Sequence, residues 1–213
     1  MQRQIRSKKD LEIQLQKLQK PSFYRNQLEQ YPTSAAVASE ILFLAYLDGN
    51  IQGKTIGDFG AGNGIFSVGA VLLGAEKVYA VELDENQVEA LRKNAEGYNI
   101  EIVQGDIVAF KVPVDTVLMN PPFGSVMEGS DRKFLDAAMK FGIHIYSLHN
   151  LKSADFVRDY YSRDFDIIRE RRMDISVPRL YGHHTKDQKD IPAIFFHCEL
   201  RGRSKGPGQA NNN

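Results

Sequence analysis

The tetrapeptide Asn120-Pro121-Pro122-Phe123 follows the apolar run Val117-Leu118-Met119, so a buried strand delivers an amide, two rigid rings and an aromatic to one point. An exocyclic amine on a conjugated ring is a weak nucleophile, because its lone pair is delocalised into the ring. The Asn120 side-chain oxygen and the Pro121 carbonyl can each accept one amine N–H, which directs the lone pair outward. Two prolines hold that carbonyl at small entropic cost. Phe123 offers a flat apolar face for a single unstacked base. The same residues also suit a rigid turn with its aromatic in the core, so the chemistry depends on what stands nearby.

What stands nearby is Asp58-Phe59-Gly60-Ala61-Gly62-Asn63-Gly64, a glycine turn between a strand and a helix, as nucleotide binding requires. Its third glycine, Gly64, comes one residue earlier than in the dinucleotide fingerprint. Asp58 stands directly before the turn, where a carboxylate repels a pyrophosphate and attracts an ammonium group. Glu82 ends the next strand, in position to accept from two ribose hydroxyls. Asp106 ends the one after, where it can accept from an adenine amino group, with Leu83 and Ile107 as apolar walls for the ring. Each acid alone is equally at home as a turn or cap residue. Three on successive strand ends, in register with the turn, describe an adenosine carrying an amino acid, and S-adenosylmethionine is that molecule. Its sulfonium leaving group is already cationic, so positioning rather than a strong general base supplies the rate.

The elements that must position these residues are legible in the hydrophobic pattern. Leu11, Leu15 and Leu18 have helical spacing within 8–20 and stop at Pro21, which predicts an amphipathic N-terminal helical extension over 1–30. A buried helix capped by Ser34 is expected over 34–48. Strands at 54–60, 77–83, 101–106, 115–120 and 144–149 alternate with helices at 65–73, 85–97, 132–141 and 153–162. That alternation predicts an α/β fold with a parallel, Rossmann-like sheet, helices on both faces, and ligands beyond the strands' carboxyl ends. The runs 166–178 and 191–200 read as an antiparallel C-terminal edge hairpin. Residues 31–200 are expected to form the catalytic domain, 124–134 a mobile loop, and 201–213 a disordered tail.

Composition bounds the rest. The 213 residues suit one domain, and Lys plus Arg (27) balance Asp plus Glu (27), so any surface for a polyanion must be local. A lone cysteine, Cys198, excludes an intramolecular disulfide and argues against a thiolate zinc site. With no apolar run long enough to span a bilayer, a soluble, cytoplasmic protein is expected. The adjacent His183 and His184 point apart on an extended segment, so no metal site is assigned.

In order along the chain, DFGAGNG, AVELDENQ, VQGDI and NPPFG resemble the class I methyltransferases that modify amino groups, a family with a mostly parallel seven-stranded sheet. More narrowly, LEQYPTS, NPPFGS and YSLH resemble the small adenine-N6 methyltransferases of small-subunit ribosomal RNA found in archaea and eukaryotes, over about residues 28–200. The resemblance implies donor contacts from Gln30 and Thr33, and from Gly60, Gly62, Asn63 and Ile65 in the turn. It assigns Glu82, Asp106 and Ile107 to the adenosine, Asn120 through Phe123 to the target amine, and Tyr146, Ser147 and His149 to the pocket's shape. Where the family often has Asp on the ribose, this chain has Glu82. The resemblance also implies a small zinc-containing activator that adds its edge to the sheet.

Basic residues that could meet structured RNA are Arg3, Arg6, Lys8 and Lys9, then Arg169, Arg171 and Arg172, then Lys186 and Lys189. The NPPF geometry serves any planar amine, so a protein glutamine N5-methyltransferase acting on a translation factor is the alternative reading. It usually bears Tyr at the position of Phe123 and a larger N-terminal recognition domain. A donor-binding ribosome-assembly scaffold without catalysis is another. DNA modification would need a target-recognition region for which the chain has no room.

Overall fold

Strands β1 (Thr55–Phe59), β2 (Lys77–Glu82), β3 (Ile100–Gln104), β4 (Val114–Met119), β5 (Gly142–Asn150), β6 (Phe165–Pro178) and β7 (Gln188–Leu200) form one sheet in the order β3-β2-β1-β4-β5-β7-β6. They are seen in a computed structural model that describes residues 5–22, 32–122, 131–178 and 188–202. Gln30, Phe123, Arg3, His183, His184, Lys186, residues 124–130 of the expected loop and the tail from 203 lie outside the described residues. From β3 to β5 every pairing is parallel, and β7 runs antiparallel to both β5 and β6. The chain steps outward from β1 through β2 to β3, then returns to place β4 on β1's other side. This reversal opens a crevice at the carboxyl ends of β1 and β4, where Gly60 and Asn120 emerge. The expected mostly parallel sheet with an antiparallel edge hairpin is the observed one.

Helices α1 (Lys8–Leu15), α2 (Ala35–Leu47), α3 (Ile65–Leu72), α4 (Glu85–Asn94), α5 (Arg132–Phe141) and α6 (Ala154–Tyr161) cover the sheet. On one face Leu11, Leu15, Ile41, Leu42 and Phe66 pack with Leu118, Tyr146 and Phe195. On the other, Leu135, Val157 and Tyr161 pack with Val117, Met119, Ile145 and Phe196. Strands covered on both sides read as continuous apolar runs for this reason. The first helix buries Leu11 and Leu15 in the same core as α2 and α3. Among the described residues no helix is long and apolar enough to cross a membrane.

Helix α1 stops at Leu15, five residues short of the expected end. Its last turn tightens through Lys17 N–H to Gln14 O and Leu18 N–H to Leu15 O. Beyond it the Gln19 N–H donates to the Asn94 side chain at 2.8 Å, a tertiary bond that competes with helix continuation, and Pro21 disfavours a helical residue before it. Ser34 caps α2 as expected, accepting from the Val37 N–H.

Candidate active site

Gly60, Gly62 and Gly64 have φ of 76°, 57° and 86°, left-handed values that glycine adopts without steric cost. They fold the turn back over β2. The Gly60 and Ala61 amides both donate to Val81 O at 2.9 Å, and the Gly64 amide to Ala61 O at 2.8 Å. The Gly62 amide donates to Glu82 Oε2 at 2.8 Å. With these four amides already used inside the protein, they form no cradle for a phosphate.

A methyl group on Gly64 would stand 2.4 Å from Leu91 Cδ1. Gly64→Ala is therefore expected to destabilise the protein by about 3 kcal/mol, from the left-handed backbone and the clash together. Gly49→Ala isolates the backbone part: its φ is 80° and a Cβ there meets nothing within 4 Å, so about 1 kcal/mol is expected. Equal losses in denaturant unfolding would show that the turn does not pack on Leu91 as described.

Two acids sit beneath the turn. Glu82 accepts from the Gly62, Leu83 and Asp84 amides at 2.8, 2.9 and 2.8 Å. Burial pushes its pKa up, against the opposing pull of those N–H groups and with a smaller push from the Asp84 charge. Asp58 is fully buried. Its Oδ2 accepts from the Ser67 N–H at 2.9 Å and the Ser67 Oγ–H at 2.6 Å, anchoring α3. Its Oδ1 is buried with no hydrogen-bond partner. Burial raises the Asp58 pKa to about 7, the Ser67 bonds hold it lower than burial alone would, and the Glu82 charge adds to the rise. A buried carboxylate oxygen beside a second acid is a fit for a cationic ammonium group, and the donor set as a whole fits S-adenosylmethionine.

Asp106 is more committed than its position suggested. It caps the short 3-10 turn Ile107–Ala109 by accepting from the Val108 N–H at 3.1 Å. Its other oxygen pairs with Lys133 Nζ at 2.6 Å, a lysine of α5 that sequence reasoning missed. The two expected apolar walls differ: Leu83 is 51% exposed at the rim, whereas Ile107 is 2% exposed and packs into the core with Phe59 and Phe110. Ile65 opens α3, 9% exposed. The Asn63 side chain donates to Gln19 O at 2.9 Å.

At the carboxyl end of β4, Asn120 Nδ2 donates to Thr33 Oγ1 at 2.9 Å. Thr33 was expected at the donor; the structure places it against the side chain that should grip the target amine. With Nδ2 fixed there, Oδ1 is the amide's accepting end. Pro121 is buried and Pro122 half-buried, and together they hold the chain where it leaves the sheet.

The β5 residues divide by face. Tyr146 lies on the α2 side, where its hydroxyl donates to Asp48 Oδ2 at 2.9 Å, accepts from Asn50 Nδ2 at 2.8 Å, and its ring stacks on His197 at 4.1 Å. That is a structural network. Ser147 Oγ bonds the Tyr161 hydroxyl at 3.0 Å. His149 is buried against the ring edges of Tyr161 and Phe196, and burial pushes its pKa down to about 3, so it is neutral. Two hairpin arginines are also occupied: Arg169 pairs with Asp48 at 2.9 Å, and Arg171 with Glu40. Arg172 is exposed.

A doubly wound sheet with a glycine wall, strand-end acids and an Asn-Pro-Pro lip at its switch point defines a class I S-adenosylmethionine-dependent methyltransferase. The chain belongs to the family of the rRNA N(6)-adenosine-methyltransferases. It is 34% identical over 182 residues to METTL5 of Danio rerio, covering 79% of this chain and 87% of that one. To Mettl5 of Drosophila melanogaster it is 32% identical, covering 81% and 87%. The crystal structure of a proposed RNA methyltransferase from Pyrococcus horikoshii superposes with a TM-score of 0.84 at 35% identity, covering 91% of this chain and 98% of that one. The profile of the ribosomal protein L11 methyltransferase family (PrmA) matches residues 41–121.

Proposed function

We propose that this protein transfers the methyl group of S-adenosylmethionine to the N6 amine of an adenosine in small-subunit ribosomal RNA. The observation that carries the reading is Asn120 at the lip of β4, its amide fixed through Thr33 so that one accepting oxygen and the Pro121 carbonyl can take the two amine hydrogens. S-adenosylmethionine, when bound, supplies a methyl carbon activated by the adjoining sulfonium. Asp58 holds the ammonium end, Glu82 accepts from the ribose, and Asp106 accepts from the adenine edge while Lys133 offsets its charge. Asn120 and Pro121 orient the acceptor lone pair, and the amine loses its proton after transfer, when it is acidic.

The L11 relationship favours the alternative, a protein acceptor, only for the donor half. That profile ends at residue 121, before β5, α6 and the hairpin, whereas the adenosine methyltransferase relatives align across most of the chain. Incubation with methyl-labelled donor and either small ribosomal subunits, naked ribosomal RNA or a translation factor separates the two. Label is expected in the RNA as N6-methyladenosine. Label confined to protein would overturn the reading.

The reaction takes place in the cytoplasm on this proposal, with a small zinc-containing activator as a partner that adds a strand to the sheet. Such a strand would pair along the free edge of one of the two outer strands, β3 or β6.

A further inference from the structure

Asn94, the last residue of α4, has no role in the chemistry above, yet its side chain is fully used within one small region. Its Oδ1 accepts the Gln19 N–H at 2.8 Å, and its Nδ2 donates to Gln19 O and to Asn63 O, both at 2.9 Å. The residue is 8% exposed. One amide therefore pairs with both backbone groups of Gln19, as a neighbouring strand would, while also gripping a carbonyl of the glycine turn. Asn63 Nδ2 adds a fourth bond, to Gln19 O at 2.9 Å.

The far end of the same N-terminal segment is tied as well. Thr33 accepts from Asn120, so the chain is fastened at residue 19 to the donor turn and at residue 33 to the acceptor strand. Between these two anchors lies the crevice at the ends of β1 and β4. We infer that Asn94 is a positioning residue for S-adenosylmethionine: without touching it, Asn94 fixes the glycine turn and the N-terminal segment against each other before the donor arrives. This rests on the donor reading above.

Preorganisation gives the clamp its effect on binding. Apparent affinity falls in proportion to the fraction of molecules already in the competent arrangement, and ordering a segment during binding weakens binding by its entropic cost. Without the Asn94 amide, the Gln19 N–H loses its acceptor and the Gln19 and Asn63 carbonyls each lose a donor. The bond then left to Gln19, from Asn63, is exposed to solvent and to competition from water.

Isothermal titration of Asn94→Ala with S-adenosylmethionine is expected to show Kd raised about ten-fold or more, with kcat at saturating donor within about two-fold of the parent. Val157→Ala, a buried substitution in α6 on the opposite face of the sheet, serves as a control whose loss of thermal stability comes without loss of the clamp; its Kd should stay within about two-fold. Hydrogen exchange of the parent provides a readout that needs no variant: donor should slow exchange at the Gln19 amide. An unchanged Kd in Asn94→Ala, an equal rise in Val157→Ala, or a Gln19 amide indifferent to donor would each overturn the inference. Should Asn94→Ala not fold, the exchange measurement decides. A parent that binds no donor would instead overturn the donor reading itself.

Discussion

Replacing Asn120 with alanine is expected to lower kcat for methyl transfer by about 10²- to 10³-fold while donor Kd changes by less than about three-fold. In the proposed mechanism the amide acts on the acceptor, so its loss would remove an interaction that matters when the lone pair must leave conjugation and meet the methyl carbon. The Pro121 carbonyl remains, which keeps the loss from being total. Asn120→Asp tests the same point differently. A carboxylate accepts from the amine as well as an amide does and can accept from the Thr33 hydroxyl in place of donating to it, so Asn120→Asp should keep more of the rate than Asn120→Ala. Thr33→Val removes that acceptor without touching Asn120, and about ten-fold of kcat should go with it. Single-turnover rates with saturating donor read all three. An Asn120→Ala variant that methylates at the parental rate would remove the lip from the mechanism.

How much of this was legible beforehand divides along a physical line. Elements whose signal is local were readable: the strand ending at Met119, the turn whose alternate glycines need left-handed backbone, and the cap at Ser34 all declare themselves within a few residues. The placement of Asp58, Glu82 and Asp106 at the ends of three successive strands was readable because a parallel sheet sends those ends to one side. Pairings between distant side chains were not readable. Thr33 with Asn120, Lys133 with Asp106 and Asn94 with Gln19 join residues that no local pattern relates. The partners of the cations were hidden for a similar reason. Arg169 and Arg171 read as isolated cations in the sequence, whereas Glu40 of α2 and Asp48 at its end pair with them across the sheet face. Ile107 turns inward because Asp106 starts a 3-10 turn there, which directs the next side chain at Phe110 rather than at the rim.

Donor affinity is expected to fall about ten-fold for each pH unit below about 7, reaching about a hundred-fold at pH 5, because in the proposed donor pose Asp58 must ionise to receive an ammonium. Its pKa in the donor-free protein is raised to about 7, so below that pH the group carries a proton that binding must expel. An ordinary surface aspartate would be ionised throughout this range and would give no such dependence. Titrating at pH 6 in buffers of different ionisation enthalpy should accordingly reveal close to one proton released per donor bound. Above pH about 8 affinity should decline again, as the donor's own α-amino group loses its charge. His149 and His197, with pKa values pushed down to about 3 and about 4, stay neutral above pH 5 and contribute nothing to the acidic limb. Glu82 is also raised by burial, and Asp58→Asn separates the two. An asparagine oxygen can still accept from Ser67, so α3 keeps its anchor, but an uncharged amide replaces the Oδ1 that faces the ammonium. Affinity at pH 7.5 should therefore drop and the acidic limb should vanish. A limb that survives in Asp58→Asn would assign the proton to Glu82 and leave Asp58 as a structural anchor for α3 alone.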